Sequence, residues 1–133
     1  MHRLIALFAL AIILPAAQAA SLQEHELSVM LQQIARDSSV GTPRVINKDI
    51  LDQGYTAEGN ELVNYLSVRP AHAEQMRANP ETMRRQLADS VCNNPGYQRL
   101  LSQGAVLRYQ FSEYKSNRPV AVERFTKADC GLQ

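Results

Sequence analysis

What this sequence has little of narrows it first. Only two cysteines, Cys92 and Cys130, stand in 133 residues, and they do not form a C-x-x-C pair, which excludes the usual spacing of a redox dithiol. The three histidines, His2, His25 and His72, are scattered along the chain. They offer no metal-ligand spacing with the cysteines, so neither a metal nor another cofactor is expected. There is no excess of either charge: 14 Lys+Arg stand against 13 Asp+Glu, mixed along the chain. Proteins that bind nucleic acid depend on a basic excess for their phosphate contacts, so no nucleic-acid partner is expected. The longest apolar run, Leu4 to Leu14, has eleven residues, well short of the roughly 20 that a helix needs to span a bilayer. Also missing are G-x-S-x-G, H-E-x-x-H and a phosphate-cradling glycine loop, and with them the commonest hydrolase and nucleotide-binding signatures.

What is present starts with an export signal. His2 and Arg3 precede the apolar run, Pro15 breaks it, and Ala17-Gln18-Ala19 supplies the small-x-small pattern of a cleavage site. Residues 1–19 therefore read as a signal peptide and residues 20–133 as one domain of ordinary size. Loss of Arg3 brings the mature chain to zero formal charge, and no membrane span remains. The chain is expected in the periplasm or outside the cell. In an oxidising compartment two cysteines are most simply one disulfide. Joining Cys92 to Cys130 would stabilise the fold by about 4 kcal/mol in the chain-entropy picture.

Periodicity supplies the elements. Ser21 and Glu24 form a capping-box pattern ahead of Leu27, Met30, Leu31, Ile34 and Ala35 at helical spacing. The β-rich stretch that follows, broken by Gly54 and Gly59, predicts strands over roughly 43–53 and 60–68. Asn79-Pro80 then opens a helix whose stripe is Met83, Leu87 and Val91, and a short helix carries Leu100 and Leu101 up to Gly104. In the next strand Leu107, Tyr109 and Phe111 alternate with Arg108, Gln110 and Ser112. In the last, Val120 and Val122 alternate with Ala121 and Glu123, which leaves Phe125 out of step and suggests a bulge. The predicted order is helix, two strands, two helices, two strands. It points to an α+β fold, a two-layer α/β sandwich with an antiparallel sheet and helices on one face. Leu87, Val91, Leu107, Tyr109 and Phe111 form its expected core.

"TPRVINKDILDQGY", "ELVNYLSV", a helix ending in Cys92, "LLSQGAVLRYQF" and the terminal "FTKADC" together resemble the small exported bacterial proteins called quorum-sensing-regulated virulence factors. The resemblance covers most of residues 21–130. It implies a two-layer sandwich, a periplasmic or extracellular location and a role in virulence, and it implies no catalytic residues. The residues themselves agree. His25 and His72 read as surface histidines, and the carboxylate pairs Asp49/Asp52 and Glu58/Glu61 as solvated turn residues. The chain is therefore read as no enzyme, but as a module that binds a protein of the host or of the bacterial envelope. An envelope-assembly or inhibitor module is the alternative, and a small hydrolase a more distant one. If Leu107, Tyr109 and Phe111 face the helices, Arg108 and Gln110 must project from the uncovered face. With Tyr114 and Arg118 of the adjoining turn they form the candidate partner-binding surface.

Overall fold

The computed structural model describes residues 16–132, so most of the predicted signal sequence lies outside the described residues. The order is α1 (Ala16–Ser38), β1 (Arg44–Asn47), β2 (Ile50–Glu58), β3 (Glu61–Val68), α2 (Pro70–Ala78), α3 (Pro80–Cys92), α4 (Pro95–Ser102), β4 (Val106–Glu113), β5 (Pro119–Phe125) and a 3-10 turn over Lys127–Cys130. The strands lie side by side in chain order, and the helices pack on one face of the sheet.

The α+β sandwich stands, but its sheet is mixed where the sequence suggested an antiparallel one. Strand β3 pairs with β4 in parallel, Leu62 beside Leu107 and Leu66 beside Phe111, while the other neighbours are antiparallel. Parallel neighbours need a crossover, and α2, α3 and α4 provide it. Each of these three helices starts on a proline, Pro70, Pro80 or Pro95, whose fixed φ suits the first turn and whose missing N–H costs nothing there. Helix α4 is also capped by Asn94, which accepts from the Tyr97 amide at 3.1 Å. Asn79 does not cap α3 with its side chain, which donates instead to the Gln75 carbonyl.

Helix α1 begins before the Ser21–Glu24 box, which lies inside it, as does the expected cleavage point at Ala19–Ala20. The run of alanines from Ala16 carries the helix upstream, because alanine has the highest helix propensity. Its buried stripe is the expected one, Leu27, Leu31 and Ala35 flanked by Met30 and Ile34. The predicted strand 43–53 is two strands, β1 and the start of β2, and Gly54 is no turn. It sits inside β2 at a register shift, at φ +110°, where a Cβ would come within 3.2 Å of the Thr42 hydroxyl; only glycine suits such a bulge. The hairpin turn is made by Gly59 and Asn60 between the paired residues Glu58 and Glu61.

Two apolar clusters fill the space between sheet and helices. One gathers Leu31, Leu62, Val91, Leu101, Leu107 and Phe125; the other gathers Leu66, Val68, Ala73, Met76 and Phe111. Leu87 and Tyr109, both half-buried, pack against both, so the expected core residues share one inward face but are divided between two clusters. In β5 the expected register is reversed. Phe125 pairs with Leu107, Glu123 with Tyr109 and Ala121 with Phe111, which turns all three toward the helices and leaves Val122 half-exposed on the other side. The bulge lies at the other end of the strand, between the pairs at Phe111 and Ser112. Glu123 can face inward because Arg84 of α3 meets it at 2.6 Å. Cys92 at the end of α3 and Cys130 in the final turn are joined by a disulfide, their Cα atoms 5.2 Å apart.

Candidate functional site

The sheet face away from the helices carries the candidate residues of β4, and the structure places them differently from one another. Glu58 and Glu61 are directly opposed across the β2–β3 hairpin, an arrangement that costs energy when uncompensated. Arg108 compensates it, with Nη1 2.8 Å from Glu61 and Nη2 3.0 Å from Glu58, and Arg124 adds a contact to Glu61 at 3.1 Å. The four charges cancel. The Arg108 side chain is only 12% exposed, and it flanks Val63, its register partner on β3, which is fully buried although it belongs to neither core cluster. Arg108 is thus committed within the molecule, and its fork is not free for a ligand. Glu61 is likewise part of this lattice and not a solvated turn residue, whereas Glu58, though paired, stays 56% exposed beside the Gly59–Asn60 turn. Gln110 lies half-buried next to Tyr65 and Val122 in the same face.

Tyr114 and Arg118 are exposed and sit apart from that lattice. Their turn is pinned at its base, where the Glu113 amide donates to the Arg118 carbonyl at 2.8 Å and the Tyr114 amide to the Val68 carbonyl at 2.7 Å. Lys115 and Asn117 take left-handed backbone conformations, φ +72° and +58°, which is unusual for lysine. The Arg118 side chain is 68% exposed and only 3.9 Å from Glu113, whose main partner is Arg77 at 3.2 Å.

Tyr114 also forms one wall of a hollow of about 260 Å³, shared with Val45, Leu51, Ser67, Lys48 and Arg69. Of this corner the sequence had singled out only Tyr114. It brings together Val45 and Tyr114, two of the large apolar side chains that remain exposed; Ile46, also exposed, is the next residue of the same strand but does not line the hollow. The signal that could have found it was the pair Val45-Ile46, two consecutive aliphatics in a strand of only four residues, too short to bury both.

A second polar cluster lies under the helices. Asp52 is buried, and its carboxylate accepts from the Gly54 amide at 2.9 Å and from the Asn64 side chain at 3.0 Å, with Arg44 at 3.5 Å. It is a satisfied structural carboxylate and not a solvated turn residue. Burial pushes the Tyr55 and Tyr109 hydroxyls well above the ordinary tyrosine range, and contact with Tyr97 adds to both shifts. His25 lies exposed on α1 and His72 half-buried on α2. Among the described residues no group of three His, Cys, Asp or Glu side chains is placed to hold a metal, and no helix is long and apolar enough to cross a membrane.

Residues 20–131 match the family described as "Putative quorum-sensing-regulated virulence factor". Among solved structures, a "putative secreted protein" of Pseudomonas aeruginosa is 62% identical, with a TM-score of 0.79 over 82% of this chain and 96% of that one. Two more distant structures share the fold. The pilotin of the Vibrio vulnificus type 2 secretion system is 17% identical, with a TM-score of 0.72 over 85% of this chain and 99% of that one. The type II secretion pilotin of Vibrio cholerae is 18% identical, with a TM-score of 0.69 over 84% of this chain and 99% of that one. No curated protein matches the chain.

Proposed function

From the premise that this chain belongs to the quorum-sensing-regulated virulence factor family, we propose that it works outside the cytoplasm as a protein-binding module and catalyses no reaction of its own. The observation that carries this reading is the corner where Val45 and Tyr114 line one hollow, next to the exposed Ile46 of the same edge strand. There apolar side chains stay exposed, while the charged lattice around Arg108 is internally neutralised. An exposed apolar cluster with a polar rim is the usual character of a protein interface. Export is supported by the basic, apolar and small-x-small pattern of residues 1–19 and by the likeness to a protein described as secreted. A second reading, a module of envelope assembly, draws on the fold shared with two type II secretion pilotins and would use the same corner.

The test combines fractionation with capture. The chain is expected in the periplasm or the medium. Immobilised residues 20–133 with the disulfide intact should retain a protein from those fractions saturably, and a folded Val45→Asp/Tyr114→Asp variant should not. Retention of nothing, or turnover of a substrate by the purified chain, would overturn the reading.

A further inference from the structure

We infer that the free edge of β1 is a docking strand for an extended, acidic segment of the partner protein, added antiparallel or parallel to Arg44–Asn47; this rests on the protein-binding reading above and specifies its chemistry. The two rims of the sheet are β1 and β5. Strand β1 pairs only with β2, and among the described residues no hydrogen bond from another strand or side chain reaches the main chain of Val45 or Ile46. An edge of this kind is a ready template for one more strand, whose main-chain groups supply affinity and whose alternate side chains supply specificity. Val45 and Ile46 are 69% and 55% exposed, so an added strand would find two aliphatic neighbours.

The charges choose the occupant. Around the hollow beside Val45, Lys48 and Arg69 are exposed, and neither makes an ion pair among the described residues. Lys115 stands over the Tyr114 ring at 5.8 Å, and Arg118 ends the same turn. The acidic groups nearby are Asp49, half-buried, Asp52, buried and hydrogen-bonded, and Glu113, held by Arg77. The corner therefore shows two accessible cations, Lys48 and Arg69, with Lys115 and Arg118 on the turn that follows Tyr114, and little accessible negative charge. A second copy of this chain is a poor occupant, because antiparallel pairing of β1 with itself would set Arg44 and Lys48 of one copy against those of the other. An acidic strand with aliphatic residues at alternate positions satisfies the free main-chain groups, the hollow and the cations together.

The probe is a synthetic peptide of alternating Glu and Val, with a Lys/Val peptide and vesicles containing anionic lipid as controls, added to the disulfide-intact chain and followed by amide hydrogen exchange. The Glu/Val peptide is expected to slow exchange of the β1 amides about tenfold at saturation, since pairing closes groups that are open in the free edge. The Lys/Val peptide should do nothing. Charge reversal by Lys48→Glu/Arg69→Glu should weaken binding about tenfold or more and remove its salt dependence. Ile46→Pro should remove it as well, at a register shift on an edge strand where proline is tolerated. If that variant does not fold, the charge reversal alone decides. Equal binding of the two peptides, protection outside β1, or stronger protection by anionic vesicles would overturn the inference. A captured partner that binds the wild type and both variants equally removes the edge but leaves the protein-binding reading. Failure of both capture and peptide protection removes both.

Discussion

The two rims of the sheet are treated in opposite ways. At β5 the helical layer reaches over the edge: Arg77 donates to the Pro119 carbonyl at 3.0 Å and Arg84 to the Arg124 carbonyl at 3.2 Å. The same guanidiniums hold Glu113 and Glu123, and Arg84 lies 4.6 Å above the Phe125 ring. Just beyond the strand, a capping box of Thr126 and Asp129 forms the turn that carries Cys130 to Cys92. At β1 nothing comparable exists among the described residues. Four exposed residues run along the edge, two of them, Val45 and Ile46, with aliphatic side chains in water. Both rims pose the same problem, unpaired main-chain groups that invite a further strand. The difference teaches that helix arginines cover the main chain of one rim, while among the described residues the other rim is left open.

The largest test of that division is Phe125→Ala. The ring is fully buried, meets Tyr109 edge-on at a centroid distance of 6.1 Å and lies under Arg84, so its loss should cost about 3–5 kcal/mol by urea unfolding. A cost below about 1 kcal/mol would mean that β5 is not a structural rim. The disulfide comes next. Unfolded, unreduced protein should show no free thiol, and replacing both cysteines by Ala should destabilise by about 2–4 kcal/mol, since the bond closes a loop of 38 residues. Two reactive thiols would break the comparison at its covalent end.

Arg84→Ala should cost about 1–3 kcal/mol, because it strands Glu123 in a largely buried place and removes the cover from the Phe125 ring. Arg84→Lys should restore only part of this, since a single ammonium nitrogen cannot hold Glu123 and Asp129 as the two ends of the guanidinium do. If the arginines do close the rim, the Arg77→Ala/Arg84→Ala double variant should also self-associate in sedimentation at concentrations where the wild type does not.

How far this arrangement was legible follows from what periodicity can carry. The α1 stripe and the faces of β4 were readable because one side of each is apolar and the other polar, at helical or twofold spacing. The parallel pairing of β3 with β4 was not, since alternation says which face is buried and nothing about the neighbouring strand. In β5 the pattern misled. Val122 looks like a core residue and Glu123 like a surface one, yet Arg84, distant in sequence, makes the glutamate acceptable inside. Asp52 escaped for the same reason, its partners being a bulge amide and Asn64 on another strand. At the candidate site Tyr114 and Arg118 were reached through their turn. Arg108 was read correctly as outward-facing but wrongly as available, because its two glutamates come together only across the β2–β3 hairpin.

The smallest expected effect is the one that separates the rims most sharply. Val45→Thr/Ile46→Thr keeps the β-branched shape at both positions and so leaves strand propensity nearly unchanged, while removing the apolar surface that each side chain shows to solvent. Neither residue belongs to a core cluster, so no cavity forms and little burial is lost. The double variant should therefore unfold within about 0.5 kcal/mol of the wild type, the range of surface substitutions away from special features. Binding should respond very differently: partner capture, or protection by the acidic peptide, should fall about tenfold, because the free aliphatics are what an added strand would cover. A stability loss near that of Arg84→Ala would show that β1 is a structural rim after all. Unchanged stability together with unchanged binding would mean that its exposed valine and isoleucine serve neither purpose, and would move the interface to Tyr114 and Arg118 alone.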